Sequence, residues 1–223
     1  MPERPDQPST DRESPVGKPV IRGDPQFTGQ HAHEAVEFDP DDPESLELAA
    51  DVVGQFAQNT AGAADNVYIL RGAAACAALV RGEGSYKAAA ERAGNGATVS
   101  FIRKWSRVHD LPRSVRVQVA KGKIAPTAAK HIARVSGKAR LLLAWAALDH
   151  DLTVRQIRTI ASTVNEGASV ADALAAEGYT LGELTLEIDI DAYCKLRRQA
   201  AIDATEPGEL VNEAIEAFLD DGP

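Results

Sequence analysis

Residues Tyr86–Trp105 read YKAAAERAGNGATVSFIRKW, two helix-forming stretches on either side of a glycine-bearing turn. Ser85 is placed to cap a helix over Tyr86–Ala93, and Gly94-Asn95-Gly96 stops it. Thr98 then caps a second helix that runs through His109 and ends at Leu111-Pro112. Ala90 has the small side chain needed where two helices cross closely, and Gly94 allows the sharp turn between them. On the second helix Val99, Ile102, Trp105 and Val108 form an inward stripe. Ser100, Arg103, Lys104 and Arg107 fall at i, i+3, i+4 and i+7 and form one basic face. The pattern is that of a helix-turn-helix.

Outward from this pair the punctuation stays close. A third helix is expected over Arg113–Lys121 and stops at Gly122. A fourth starts at Pro126, where the missing N–H is harmless, and ends by Ser136-Gly137. A fifth carries Leu141–Leu148, and Thr153-Val154-Arg155-Gln156 is a capping box for a sixth. Upstream, one helix is expected after Pro43 with Leu46, Ala50, Val53 and Ala57 on a stripe. Another is expected from about Asp65 to Arg81. The fold class is therefore mainly α, with the helix-turn-helix inside a multi-helix domain over residues 44–166.

The ends differ. Residues 1–43 hold most of the prolines and no apolar periodicity, and read as a disordered acidic arm. His31 and His33 lie there without further metal ligands. Residues 167–182 read as a linker with a short helix over Val170–Glu177. Leu184–Ile190 alternates apolar and polar side chains and is expected to be a strand, followed by helices over Asp191–Ala204 and Glu209–Asp220. A lone strand leaves its backbone groups unpaired, so residues 183–221 imply a homodimer in which a second copy supplies the partner strand.

Charge is distributed unevenly. Val67–Asn165 holds 17 Lys+Arg against 5 Asp+Glu, a charge of +12. Residues 1–66 hold 4 against 14 and residues 166–223 hold 3 against 14, so the flanks carry −10 and −11. A cationic block inside an anionic chain is the footprint of a polyanion-binding domain. Thr98, Ser100, Arg103, Lys104, Arg107, Arg113, Arg116, Lys121, Lys123, Lys130 and Arg134 are the expected contacts to double-stranded DNA. His131 reads as a phosphate neighbour or a packed residue. No aromatic stacking motif points to RNA.

No catalytic constellation, P-loop or zinc spacing stands out, so neither an enzyme, a cofactor nor a metal is expected. Cys76 and Cys194 are too far apart in sequence and context to suggest a disulfide framework. Neither a signal peptide nor a membrane span is expected, which gives a cytoplasmic, nucleoid-associated reading. The dense carboxylates and sparing use of Lys suit a halophilic cytoplasm.

Ser85–Asn165 resembles the central DNA-binding domain of the ParB/KorB partition proteins. The elements AAAERAG, IRKWSRVHDLP, VAKGKI, HIARV and LTVRQIR stand in the family's order. The family's Arg-pair motif for CTP is not found in residues 1–84, so the resemblance implies site-specific DNA binding without a nucleotide clamp. Leu184–Leu219 is similar to the ribbon-helix-helix fold of the MetJ/Arc type. That similarity implies dimerisation through Leu184, Leu186, Ile188, Leu196, Val211, Ile215 and Phe218, with Ala192, Ala200 and Ala214 also in the core. Thr185, Glu187 and Asp189 would face outward, and two carboxylates repel phosphate, so this unit is expected to dimerise rather than bind DNA. Transcriptional regulation or replicon partition is the expected role. The alternative is an interaction adaptor whose acidic C-terminal surface takes a protein partner.

Overall fold

The caps legible in the sequence are made. Ser85 Oγ accepts from the Ala88 N–H at 3.1 Å, and Thr98 Oγ1 accepts from the Phe101 N–H at 3.1 Å. At Thr153 the capping box is reciprocal: Gln156 N donates to Thr153 Oγ1 at 3.4 Å, and Thr153 N donates to Gln156 Oε1 at 2.9 Å. The structure, a computed structural model, describes residues 20–21, 36–59 and 66–220. His31, His33 and Asp65 lie outside the described residues.

Among the described residues there are eleven helices and two short strands. In chain order they are β1 (Val20–Ile21), β2 (Val36–Glu37), α1 (Pro43–Asn59), α2 (Asn66–Glu83), α3 (Tyr86–Ala93), α4 (Val99–His109), α5 (Arg113–Ala120) and α6 (Pro126–Ile132). There follow α7 (Gly137–Asp149), α8 (Val154–Asn165), α9 (Val170–Ala176), α10 (Ile190–Asp203) and α11 (Pro207–Asp220). The strands pair antiparallel, Val20 opposite Glu37 and Ile21 opposite Val36. The chain divides into two units, Met1–Glu183 and Leu184–Pro223.

The larger unit is built around α2. From Gly72 to Val80 every residue of that helix is buried, as a helix apolar on all sides must be. Helices α1, α3, α4 and α5 and strand β1 pack around it. Phe56 of α1 is fully buried and meets three rings edge-on: Trp105 at 4.9 Å, Phe101 at 5.2 Å and Tyr68 at 5.9 Å. Gly72 makes room for it, since a Cβ there would lie 2.3 Å from the Phe56 ring. Cys76 is part of this core, where burial pushes its thiol pKa upward and keeps it protonated. Helix α6 packs against α4, α7 and α8, and so joins the α2 cluster to the second half of the unit.

Three expectations change. Core packing begins before Pro43: Phe38 is fully buried, and the Asp39 N–H donates to Ser45 Oγ at 2.7 Å. Residues 167–182 are not a linker. Val170, Ala173 and Leu174 are buried, and α9 packs on α7 and α8. Beyond α9, Gln156 Nε2 donates to Tyr179 Oη at 2.6 Å, and the His150 ring lies 2.9 Å from the Thr180 carbonyl oxygen. Finally, residues 184–189 form no strand. Among the described residues of this unit no other strand lies beside them, the expected partner edge being one that a second copy would supply, and Asp189 is engaged otherwise. Its carboxylate caps α10 by accepting from Asp191 N at 2.8 Å and Ala192 N at 3.4 Å, which makes Ile190 the first helical residue.

In the C-terminal unit α10 and α11 pack on each other across a turn where Ala204 takes a left-handed conformation. Its apolar residues are largely open to solvent: Leu184 is 57% and Phe218 78% exposed, and Ala200 is the one buried residue among those described.

Candidate functional site

Helix α4 is held by its inner face. Ile102, Trp105, Val108 and His109 are buried, and Ser106 joins them. Val99, expected on the same stripe, is 36% exposed because it sits in the first turn just after the cap. Helix α3 crosses α4 after a turn in which Gly94 (φ 57°) and Asn95 (φ 47°) take left-handed conformations, with Gly94 N–H bonded to Ala90 carbonyl. Gly94 and Gly96 tolerate such φ values at no steric cost.

The outer face of α4 is not uniform. Ser100, Lys104 and Arg107 are exposed, as is Thr98, whose hydroxyl is the cap acceptor. Arg103 is half-buried and lies over the Tyr86 ring, 5.3 Å from its centroid. It fastens α4 to α3 by a cation–π contact, so it is less open than its neighbours on the face.

The remaining basic residues fall into two neighbourhoods. The first surrounds the end of α4. There His109 is buried, its Nε2 has no hydrogen-bond partner, and its pKa is pushed down to about 3 by desolvation and by the charges of Arg116 and Arg81. Arg116 is itself depressed by burial and by Arg113, and is partly compensated by Asp110. Arg81 pairs with Asp110 at 3.7 Å. Arg140 of α7 donates to the carbonyls of Val135 (2.8 Å), Asp110 (3.1 Å) and Ala133 (3.4 Å), gathering the chain ends after α4 and α6. This neighbourhood is largely internal bracing, although Arg113 is exposed.

The second neighbourhood lies on α4, α6 and α8. Lys130 is half-buried with its ammonium 4.7 Å from the Trp105 ring centroid, and its pKa is lowered by burial and by Lys104. His131 is lowered by burial and then by Arg134, Arg158, Lys130 and Lys104. The structure thus brings Lys104, Lys130 and Arg134 together and adds Arg158, which was not among the expected contacts. The signal for Arg158 was present in LTVRQIR but depends on α8 packing against α6. Lys121 and Lys123 stand exposed in the turn after α5.

Neutralising partners are spread unequally. Glu83, Glu91 and Asp110 pair with Arg92, Lys87 and Arg81. Among the described residues, Lys104, Arg107, Lys130, Arg134 and Arg158 have no carboxylate within ion-pair distance. Nor do the described residues contain a cluster of His, Cys, Asp or Glu able to hold a metal. No helix among them is long and apolar enough to cross a membrane.

The described residues form a mainly helical protein in which the cations on and beside α4, α6 and α8 have no carboxylate among those residues at ion-pair distance. The chain belongs to a family of unknown function (DUF7119), whose model matches residues 39–179. That match includes both basic neighbourhoods and α9, and ends before the C-terminal unit. No curated protein and no solved structure matches the chain.

Proposed function

We propose that this chain binds double-stranded DNA, with α3 and α4 acting as a helix-turn-helix, and that residues 184–219 pair it with a second copy. The observation that carries the reading is the set of cations on and beside α4, α6 and α8 with no carboxylate at ion-pair distance among the described residues. Like charges that lower one another's proton affinity are a standing electrostatic cost, and a polyanion removes it. Phosphate contacts by such residues position a duplex, whereas base edges are read by side chains on the inserted helix. Ser100, Lys104 and Arg107 are the open candidates for that second task, and Arg103 would join them by leaving Tyr86. Lys121, Lys123 and Arg113 are exposed enough to meet backbone. A two-fold dimer would double these contacts on a palindromic site. Transcriptional regulation and replicon partition are both served by such a protein.

A second reading is favoured by the C-terminal unit, whose exposed Leu184, Leu186, Ile188 and Phe218 lie in a segment with 3 Lys+Arg against 10 Asp+Glu, a charge of −7. In that reading the unit takes a protein partner of other sequence, and DNA affinity is secondary. Selection from randomised duplexes, followed by mobility shifts at matched salt, separates the two. The first reading requires one enriched site whose complex weakens in Arg107→Ala, with specificity relaxed by about 1–3 kcal/mol if Arg107 reads a base. Recovery of unenriched sequences, bound equally by wild type and Arg107→Ala, would sink it.

A further inference from the structure

We infer that Lys104, Lys130, Arg134 and Arg158, gathered about His131, form a phosphate-binding site that extends from α4 beyond the α3–α4 helix pair onto α6 and α8. The inference rests on the DNA-binding reading only for the source of the phosphate, which there is a phosphodiester of the duplex backbone.

Three helices converge to make the site. Lys104 comes from α4, Lys130 and His131 from α6, Arg134 from the turn after α6, and Arg158 from α8. Helix α6 packs against both α4 and α8, which brings the four cations close enough to act on one imidazole. Lys130 is held in place rather than free to retreat, because its ammonium rests on the buried Trp105 ring at 4.7 Å. From α7, the other helix against α6, Arg140 is committed to three carbonyl oxygens. The groups that act on His131 are therefore all cationic, and none has a carboxylate at ion-pair distance among the described residues. The half-buried ring has its Nδ1 shielded without a hydrogen-bond partner.

A phosphate group suits this arrangement chemically. Its oxygens accept from ammonium and guanidinium donors, and charge-assisted contacts of this kind are the strong ones. Its negative charge also reverses the field at His131. In the free protein burial and the four cations disfavour the protonated ring and lower its pKa. With an anion among those cations the pKa rises, so binding takes up a proton from solvent in the window between the two values. By linkage, affinity must increase as pH falls through that window. Arg158 has no part in the helix pair, yet it should contribute to binding of every duplex alike.

The test uses the full chain and follows the His131 ring resonance, assigned by its loss in His131→Asn. Two probes are titrated at fixed ionic strength: inorganic phosphate against chloride, and a short duplex of arbitrary sequence. The expected result is a raised His131 titration midpoint with both. Duplex affinity should rise as pH falls through that window, and this pH dependence should be much reduced in His131→Asn once its thermal midpoint has shown it to be folded. Arg158→Ala should weaken the duplex complex and lower its salt slope by about one unit. A response to phosphate but not to duplex supports the site and overturns DNA as its source. A resonance unmoved by either probe, with Arg158→Ala binding as wild type does, overturns the site. Loss of duplex binding in Arg107→Ala bears on the helix pair alone, because the response to inorganic phosphate does not depend on it.

Discussion

The two units of this protein share a helical vocabulary and differ in what they bury. In the N-terminal unit, α2 is enclosed on all sides and Phe56, Ile132, Leu143, Ile160 and Leu174 are fully buried. In the C-terminal unit, α10 buries Ala200 and α11 buries nothing. Helix formation in water is carried mainly by packing of an apolar face, not by propensity. The first unit therefore contains its own reason to fold, whereas the second displays an apolar surface that calls for a partner.

Dissection gives the largest effect. A chain ending at residue 183 is expected to keep the helical signal and cooperative melting of its unit. Residues 184–223 alone are expected to lose helicity on dilution, as the proposed pairing with a second copy requires. Circular dichroism across a concentration series checks this, and concentration-independent helicity in the short fragment would show that it folds without a second copy. Next come side-chain truncations. Phe56→Ala should destabilise the N-terminal unit by about 3–5 kcal/mol in chemical denaturation, while Phe218→Ala, at 78% exposure, should leave that unit's transition unchanged.

A third expectation concerns acid. His109 has a folded pKa of about 3, below the unfolded value near 6.5. The unfolded chain takes up the proton first, so this contribution is complete above about pH 6.5 and falls away between about 6.5 and 3. The limiting slope is about 1.4 kcal/mol per pH unit. His131 is lowered in the same direction, so the His109 share is read as the difference between wild type and His109→Leu. An unaltered slope in that variant would mean the imidazole is not held neutral. The caps rank last. Ser85→Ala and Thr153→Ala should each cost about 1 kcal/mol of unfolding free energy. Lys87→Ala, which removes an exposed pair with Glu91, should change it by no more than about 0.5 kcal/mol.

The same division separates what the sequence revealed from what it did not. Ser85, Thr98, Pro126 and Thr153 act within a few residues of themselves, so the helices they start were legible. Asp189 reads as an outward strand residue because alternation in Leu184–Ile190 is a local pattern, whereas its carboxylate caps α10 and the partner edge a strand needs would come from a second copy. Residues 167–182 looked like a linker because their glycines and acids are local cues, and the burial of Leu174 against α7 and α8 is not. Of the expected basic face, Ser100, Lys104 and Arg107 stand outward as helical spacing requires. Arg103 folds back on Tyr86, a contact set by how α3 crosses α4. Arg158 was missed for the same reason: it joins Lys104 and Lys130 only once α6 lies against α8.

The most direct test is the salt dependence of duplex binding by the intact chain, comparing wild type with Arg134→Ala/Arg158→Ala and with Lys87→Ala/Arg92→Ala, whose cations already have carboxylate partners. Each phosphate neutralised contributes about −0.9 to the slope of log K against log[salt]. A steep negative slope is expected for wild type, a slope smaller by about two units in the first variant, and no change in the second. Equal slopes in all three, or a wild-type affinity indifferent to salt, would contradict duplex binding by these cations.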